Sequence, residues 1–439
     1  MALSSRVQPG ERSRFILLAL LLFINAMALE SNEVVATSGF INTIGVDRIV
    51  LVWAIDMTII VLTSGVYSLF VDRTRRPRLA VRLFMGFALV YVLLYALFMT
   101  SQSPITYAIL LIINDQQWLL FPLVVWALAN DMFQVSSAKR LFPLLGIAAF
   151  TGGIVGNLTA ATLAQLIGLS FSLLLFNAAL IFTSGLILYF AMKRVHITVR
   201  QSRSQESALD ALREGLGFVR EVPVYRYLTV AMILLGIGLN AIEFDFLSTV
   251  SNSITNPSNL QTFYGGFKVA VAIGLLVAQA FIAPWLLSHM GFKHIFVVMP
   301  LMMVMGLLCA GLWPGLVGVT LGNYLVRVSK VGVDEPSSRA FQGLVPDERR
   351  GRVSAFMDGY LYPIGSIIGS ITIAVLLGAA ANGTLAASSV RVIYLSLALL
   401  AALVALFVAS RIRVDYDRSM LNWRLQRRKR GSALAGLEF

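Results

Sequence analysis

The sequence has few charged residues, one cysteine and three histidines. Only 13% of its 439 residues are Asp, Glu, Lys or Arg, whereas 58% are hydrophobic, and this balance excludes an ordinary soluble domain and a disordered chain. Cys309 alone cannot form an intrachain disulfide or a cysteine metal cluster. His196, His289 and His294 lack the spacing of metal ligands. With no P-loop and no paired nucleophile and base, we expect no metal, no cofactor and no enzymatic activity.

Long apolar runs are what the sequence does contain. A helix of about 20 apolar residues spans a hydrocarbon core of about 30 Å, and only helices or closed barrels satisfy their backbone polar groups in lipid. The alternating pattern of a barrel is absent. The sequence therefore predicts an all-α membrane protein, with twelve transmembrane helices in two six-helix halves. The runs lie at about 15–38, 46–70, 83–99, 105–129, 141–163, 170–192, 227–249, 260–287, 295–312, 315–333, 353–378 and 388–409.

Basic residues set the orientation of these spans. With a cytoplasmic N-terminus, 30 of the 35 Lys and Arg residues fall in cytoplasmic segments, and only Arg48 and Arg391 lie at the outside. Because cytoplasmic loops are enriched in Lys and Arg, this predicts cytoplasmic N- and C-termini in a bacterial inner membrane. Removal of the first span as a signal peptide would reverse this order, so we expect it to stay. The net charge of +13 then reflects topology rather than nucleic-acid binding.

The polar segments divide the chain into four predicted parts. A six-helix bundle over 1–192 is followed by a cytoplasmic linker over 193–226, in which Gln205 to Glu221 forms an amphipathic helix. A second bundle occupies 227–410, and a basic cytoplasmic tail occupies 411–439. The tail is a candidate for contact with anionic lipid, and the oligomeric state stays open.

Two glycine pairs mark an internal repeat. Gly152 and Gly156 lie in the fifth span, and Gly365 and Gly369 lie in the eleventh, each pair shortly after a cytoplasmic arginine. Small residues four apart let helices approach closely in lipid. Their placement six spans apart predicts a parallel repeat, which resembles the organisation of the major facilitator superfamily.

Carboxylates inside the predicted spans are candidates for proton coupling or gating. A buried charge in lipid normally faces a cavity or a partner, and no ionisable residue lies in the interior of the third, sixth, ninth or twelfth span. The spans that surround the central path in the predicted bundle carry the others. The candidates are Glu30, Glu33, Asp56, Asp115, Glu243, Asp245, Asp334 and Asp358. About 200° of helical phase separates Glu243 from Asp245, so both cannot point into one cavity unless the helix bends.

Cations inside the spans are candidates for binding an anion. Asn323, Arg327, Lys330 and Asp334 fall within about 40° on the tenth span, so one face presents two cations, an amide and a carboxylate. The alternatives are that Lys330 pairs with Asp334 or that both cations extend to the cytosol. Lys268 lies too deep to do so, and its expected partners are Asp56, the acidic residues of the seventh span, or a substrate anion.

A polar cluster interrupts the fourth span. Asn114, Gln117 and Trp118 are side chains that bind a planar heterocycle by hydrogen bonding and stacking. They are therefore candidates for substrate contact, and contact between helices is the alternative of equal weight.

The cytoplasmic loops resemble a known family. Asp72 and Arg73 resemble the loop motif of major facilitator carriers. Residues 129–146, with Asp131, Lys139 and Arg140, and residues 334–347, with Arg339, resemble the ATP/ADP translocase family of bacterial and plastid nucleotide carriers. The resemblance implies exchange of nucleotides or other phosphorylated anions without ATP hydrolysis.

We therefore predict a secondary active transporter that moves a small organic anion, such as a nucleotide or phosphorylated metabolite, by alternating access across the bilayer. One alternative is a proton-coupled exporter of cationic or neutral compounds, in which Glu30, Glu33 and Asp115 accept protons. An alternative of another class is a non-transporting membrane sensor or scaffold whose basic tail recruits a partner.

Overall fold

The structure of the protein is a computed structural model. It describes residues 7–8, 10–71, 76–101, 103–133, 135–167, 172–194, 216–290, 292–313, 315–342, 345, 353 and 356–434.

Helices make up almost all of this described part. The six helices of the first half are α1 Arg12–Ile44, α2 Ile49–Val71, α3 Arg76–Thr100, α4 Pro104–Met132, α5 Val135–Ile167 and α6 Ser172–Arg194. Later in the chain come α7 Pro223–Ser253, α8 Pro257–Val277, α9 Ala283–Met290, α10 Phe292–Ile295, α11 Val298–Leu312, α12 Leu316–Ser329, α13 Glu335–Gln342, α14 Tyr362–Ala381 and α15 Ala387–Leu434.

Ten helices of the described part are long and apolar enough to cross a membrane. The count differs from the twelve spans that the sequence predicts, and the difference lies at the ninth and tenth. The ninth is the 15-residue apolar helix α11. The tenth is α12, which has 14 residues and gives way to a π-helical turn at Lys330–Asp334 before α13 continues. Neither forms one regular helix of full membrane length, although both positions are helical.

Each of three π-helical segments precedes a proline. Ala278–Ile282 leads to Pro284, Lys330–Asp334 leads to Pro336, and Met357–Leu361 leads to Pro363. A proline inside a helix lacks a backbone N–H and its ring clashes with the carbonyl four residues earlier. A locally wider turn relieves this clash, which gives a physical reason for all three segments.

The chain separates into two compact units. Unit 1 contains Met1–Ala208 and Leu247–Leu276, and unit 2 contains Leu209–Phe246 and Val277–Phe439. Helix α7 therefore contributes residues to both units, and most of α8 belongs to unit 1. The boundaries of the four predicted parts stay a prediction.

The glycine pairs lie at close helix contacts, one in each unit. In unit 1, a Cβ atom at Gly152 or Gly156 of α5 would overlap the carbonyl oxygen of Phe23 or Met27 in α1. In unit 2, a Cβ atom at Gly365 of α14 would overlap the carbonyl oxygen of Ile233 in α7. The close approach that the spacing of small residues predicts is therefore present in both units.

Candidate functional site

Arg327 of α12 forms a two-point ion pair with Glu243 of α7 in unit 2. Its Nη2 lies 2.6 Å from Glu243 Oε1, and its Nε donates to Glu243 Oε2 at 3.0 Å. Asn323, which is fully buried, donates to the same Oε2 atom at 2.9 Å. The Arg327 side chain is 26% exposed. We call these three residues the Arg327 cluster. They place a partly accessible guanidinium beside an anion that neutralises it.

Lys330 lies in the π-helical segment after α12 and forms a second cluster in unit 2. Its Nζ is 3.3 Å from Asp334 Oδ2 and 3.6 Å from Glu335 Oε1, and it lies 3.5 Å from the centroid of the Tyr362 ring. The Tyr362 hydroxyl donates to Asp334 Oδ2 at 2.6 Å. Lys330, Asp334, Glu335 and Tyr362 are the Lys330 cluster. The pairing of Lys330 with Asp334, which the sequence leaves as an alternative, is present.

Asp245 points away from Glu243, as the helical phase predicts. It is 1% exposed and accepts two hydrogen bonds from Arg391 of α15, at 2.7 and 3.0 Å. Tyr394 donates to it at 2.7 Å. Because both oxygens of Asp245 are engaged in a buried network, its contacts join α7 to α15 within unit 2.

Lys268 of α8 pairs with two carboxylates of α1 in unit 1. Its Nζ lies 3.1 Å from Glu30 Oε2 and 2.8 Å from Glu33 Oε1. These partners on α1 differ from Asp56 and the seventh-span carboxylates that the sequence predicts, and the alternative of a substrate anion stays a prediction. Asn157 of α5 donates to Glu30 at 3.0 Å, and Tyr264 donates to Glu33 at 3.4 Å. These five residues are the Lys268 cluster.

Asp56 of α2 and Asp115 of α4 both belong to unit 1. Asp56 is 1% exposed, and its Oδ1 accepts a long hydrogen bond from Gln116 Nε2 at 3.4 Å. Asp115 precedes Gln116 on α4 and is partly exposed. No donor in the described ranges reaches Asp56 Oδ2.

The polar residues of α4 divide between buried and exposed positions. Gln117 is fully buried, accepts from the Tyr91 hydroxyl at 2.5 Å and donates to Asn25 of α1 at 2.8 Å. Asn114 is 1% exposed, whereas Trp118 is 55% exposed. The geometry of Gln117 favours the interhelical role that the sequence weighs equally with substrate contact. Trp118 alone of the three presents a large accessible surface.

Arg140, in the loop region that resembles nucleotide carriers, pairs with the N-terminal segment. Its Nη2 lies 2.6 Å from Glu11 Oε2. The Ser137 hydroxyl donates to Glu11 Oε1, and Arg14 donates to the carbonyl oxygen of Met132 at 3.3 Å. The start of α1 is thus tied to the α4–α5 connection in unit 1.

The structure describes only some of the remaining residues that the sequence predicts to be functional. Arg339 is 71% exposed and lies 3.6 Å from Glu335, and Asp131 is partly buried. Asp72 and Arg73 lie outside the described residues, and only the backbone is described for Lys139 and Asp358. The predicted amphipathic helix also lies mostly outside the described residues, as do the side chains of the basic tail from residue 415 onward.

The Glu11 contacts predict a specific pH dependence of stability. The hydrogen bond from Ser137, with smaller contributions from the Gln8 backbone N–H and from Arg140, lowers the Glu11 pKa below its usual value of 4.5. A lowered pKa stabilises the folded state above the unfolded pKa, and this stabilisation is lost as the pH falls through the folded pKa. We expect Glu11→Gln to melt below the wild type at pH 7 and the difference to shrink as the pH falls below 4.5 and through the lowered folded-state pKa of Glu11. Thermal unfolding against pH checks this, with Asp47→Asn, at an exposed turn, as control. A constant difference at all pH values would contradict it.

Sequence analysis missed several partners of the charged residues. Glu11 is the one carboxylate among the first 29 residues. Because it lies alone near basic segments, an ion pair could have been predicted for it. Tyr362 follows Asp358 by one helical turn and precedes Pro363, which gives a weaker signal. Asn157 and Tyr264 have no signal in a single sequence, because their importance depends on which helices meet.

The chain is similar in sequence to known transporters. The family model described as TLC ATP/ADP transporter matches residues 88–312, just over half of the chain. The chain is also similar to "ADP,ATP carrier protein 1, chloroplastic" of Arabidopsis thaliana, with 25% identity over 162 residues. That match covers 34% of this chain and 26% of the relative, so it spans about a quarter of the relative's length.

Solved structures of transporters share the fold. The nucleoside transporter NupG aligns with a TM-score of 0.64 at 16% identity, covering 90% of this chain and 98% of that chain. A bacterial homologue of the iron transporter ferroportin, in an inward-facing state, aligns with a TM-score of 0.64 at 13% identity, covering 92% and 99%. These identities show the fold alone, and the fold is that of integral membrane transporters. Together with the family match, they show that this chain belongs to the TLC ATP/ADP transporter family.

Proposed function

We propose that the protein is a secondary transporter that exchanges nucleotides, or closely related phosphorylated anions, across a membrane by alternating access. The observation that carries the proposal is the Arg327 cluster, in which a partly accessible arginine inside a membrane helix is held by an exchangeable carboxylate. Family membership supports the nucleotide class of substrate, and the fold supports transport. No catalytic step is involved, so the substrate is moved unchanged.

A phosphate group and the Glu243 carboxylate are alternative partners for Arg327. The guanidinium presents a planar fork of donors that binds either group through two parallel hydrogen bonds. When no substrate is present, Glu243 neutralises Arg327, so the partly accessible cation is not left without an anion. A phosphate that replaces Glu243 gains the charge-assisted hydrogen bonds and offsets its own desolvation.

The Lys330 cluster offers the same exchange one turn further along the chain. The ammonium is bound by Asp334 and lies over the Tyr362 ring, so a second phosphate can replace a carboxylate there. Two cations on consecutive turns suit a substrate with two or more phosphates. Because each cation returns to an internal carboxylate after release, its charge stays neutralised between the departure of one substrate anion and the arrival of the next.

The proposed arrangement in the membrane has twelve spans in two six-helix halves. The glycine-mediated contacts α1–α5 and α7–α14, with matching positions in the two halves, support the repeat. The helical positions of α11 and of α12 through α13 support the ninth and tenth spans. The distribution of Lys and Arg supports cytoplasmic termini and a bacterial inner membrane.

Counterflow in proteoliposomes tests the function. Vesicles preloaded with unlabelled ATP, ADP, AMP or buffer are diluted into labelled ADP at equal pH on both sides. We expect uptake to depend on internal nucleotide and to be absent from protein-free vesicles. Uptake that is equal with and without internal nucleotide, or no uptake with any of them, would overturn the exchange proposal.

The carboxylates of unit 1 favour a second candidate function. In this unit Lys268 binds Glu30 and Glu33. Asp56 and Asp115 lie on the neighbouring helices α2 and α4. Four carboxyls and one lysine within the membrane helices of unit 1 suit the proton-coupled export of a cationic or neutral compound. Flux of an organic cation driven by a pH gradient, in vesicles that show no nucleotide counterflow, would favour this candidate.

A further inference from the structure

A cavity in unit 1 lies between the start of α1 and the connection from α4 to α5. Its volume is about 450 Å³, and the described residues that line it include Glu11, Arg14, Met132, Ser137 and Arg140. Two of these residues are cationic and one is anionic. The described lining therefore carries a surplus of one positive charge, which favours an anionic ligand.

The Glu11 carboxylate shows where an anion binds in this cavity. Its Oε2 lies 2.6 Å from Arg140 Nη2, and its Oε1 accepts from the Ser137 hydroxyl. Ser137 is in the first turn of α5, where unpaired backbone N–H groups and the helix dipole favour negative charge. The side chains of Glu11 and Arg140 are 17% and 30% exposed. An external anion can therefore reach these donors and compete with the carboxylate.

Arg14 is the second cation of the cavity, and it has a different kind of partner. Its Nη1 donates to the carbonyl oxygen of Met132 at 3.3 Å. Within the ranges that the structure describes, no carboxylate lies within ion-pair distance of this guanidinium. A carbonyl oxygen accepts a hydrogen bond but carries no net charge. The surplus positive charge of the cavity is therefore located at Arg14.

Helical phase places Arg14 on the inner side of α1. A rotation of 100° per residue puts Arg14 on the face of Leu18 and Leu21, both of which are fully buried. Arg12 instead shares a face with Ile16, which is 52% exposed. Two arginines of one helical turn thus differ in their surroundings, because Arg14 lines the cavity and Arg12 lies on the outward face.

We propose that this cavity binds a phosphate group. The phosphate replaces the Glu11 carboxylate at Arg140 and Ser137, and it also contacts Arg14. A terminal phosphate has three acceptor oxygens and binds guanidinium groups through parallel hydrogen bonds, so it can use all three donor side chains at once. Its charge of about −1.5 to −2 at pH 7 matches the two arginines once Glu11 has moved aside. Binding is noncovalent, and the site does not depend on the function proposed above.

The phosphate can belong to a soluble anion, such as inorganic phosphate or a nucleotide, or to the headgroup of a lipid. Two observations favour the soluble source. The surplus cation lies on the buried face of α1, whereas a lipid approaches the outward face, that of Arg12. A lipid phosphodiester also has only two free oxygens for the three donors.

Isothermal titration calorimetry of the purified full-length protein with inorganic phosphate tests the site. An Arg327→Gln/Lys330→Gln background prevents phosphate binding at the two cation clusters of unit 2 from contributing. Arg14→Gln should weaken binding about tenfold, through the loss of one charge-assisted contact. Glu11→Gln should strengthen it about tenfold, because the internal competitor is removed. Arg12→Gln removes the same charge from the outward face and should leave the affinity unchanged.

Glu11→Gln has a second expected signature. It should lower the thermal unfolding midpoint without phosphate and enlarge the rise that phosphate causes, because a ligand of the folded state stabilises it. A purely structural role of Glu11 predicts the first effect without the second. No phosphate binding by the background protein, equal weakening by Arg12→Gln and Arg14→Gln, or no gain in Glu11→Gln would overturn the proposal. The background protein keeps all three donors, so its own titration decides even if a cavity variant fails to fold.

Two short-chain lipids identify the source of the phosphate. Phosphatidylglycerol and phosphatidylcholine with short acyl chains are added below their micelle-forming concentrations to the same background protein. We expect neither to compete with inorganic phosphate. Competition by phosphatidylglycerol that Arg14→Gln abolishes would overturn the soluble source and assign the cavity to a lipid headgroup.

Discussion

We expect the Arg327→Gln variant to bind and exchange nucleotides about 100-fold more weakly than the wild type. Hydrogen bonds to a charged group contribute about 1.5–3 kcal/mol, and a 100-fold change corresponds to about 2.7 kcal/mol. Glutamine keeps a polar side chain of similar reach but cannot present two parallel charged donors to a phosphate. The rate of counterflow at several nucleotide concentrations separates a loss of affinity from a loss of folded protein.

Two matched variants sharpen this prediction. Glu243→Gln removes the internal anion that competes for Arg327, so nucleotide binding should be unchanged or tighter. Arg391→Gln breaks an arginine–carboxylate pair of similar geometry in the same unit, at Asp245, which should lower thermal stability without changing nucleotide affinity. If Arg327→Gln and Arg391→Gln have the same effect per folded molecule, Arg327 acts only in the structure and the anion site is wrong.

The second large effect is expected at the contact between α1 and α5. Gly156→Ala should destabilise the protein by about 3 kcal/mol, the upper end of the cost of overpacking. The added methyl group meets the backbone carbonyl of Met27, which cannot move without displacing the whole of α1. The thermal unfolding midpoint in detergent measures the change, and we expect Gly365→Ala to give a similar loss at the corresponding contact in unit 2.

Other glycines of the same two helices provide control variants, for which we expect no loss of stability. Gly146 of α5 and Gly378 of α14 have no atom within 4 Å of the position of an added Cβ. Alanine has a higher helix propensity than glycine by about 1 kcal/mol, so Gly146→Ala and Gly378→Ala should be neutral or stabilising. A stabilising effect of Gly156→Ala would show that α1 and α5 lie further apart than described.

The glycine contacts and the phase of α7 could be predicted because they depend on one helix at a time. Small residues four apart identify the surface that a partner approaches, whichever helix the partner is. Likewise, a rotation of 100° per residue places Glu243 and Asp245 on different sides of the helix, whichever residues their partners are. The apolar runs predict the helices for the same local reason, since backbone groups in lipid must bond within the segment.

The partners of buried charges could not be predicted in this way. Lys268 pairs with Glu30 and Glu33 because the fold brings this part of α8 within reach of α1. The sequence of α8 does not indicate which helix it contacts. Gln117 is equally suited to bind a base or another amide, and only the positions of Tyr91 and Asn25 decide between them. Arg140 pairs with Glu11 across 129 residues of sequence, a contact that the count of basic residues alone does not reveal.

The π-helical segments have a mechanical consequence for unit 2. Each proline removes one main-chain donor, so Ala278–Ile282, Lys330–Asp334 and Met357–Leu361 are turns with fewer restraints than the regular helix around them. Bending at such a turn costs fewer main-chain hydrogen bonds than bending elsewhere, where a carbonyl exposed to lipid has no other donor. Lys330 and Asp334 lie on one of these turns. A small change in helix curvature there alters the separation of the ammonium and the carboxylate. The affinity for a bound anion is therefore coupled to the curvature of the helix.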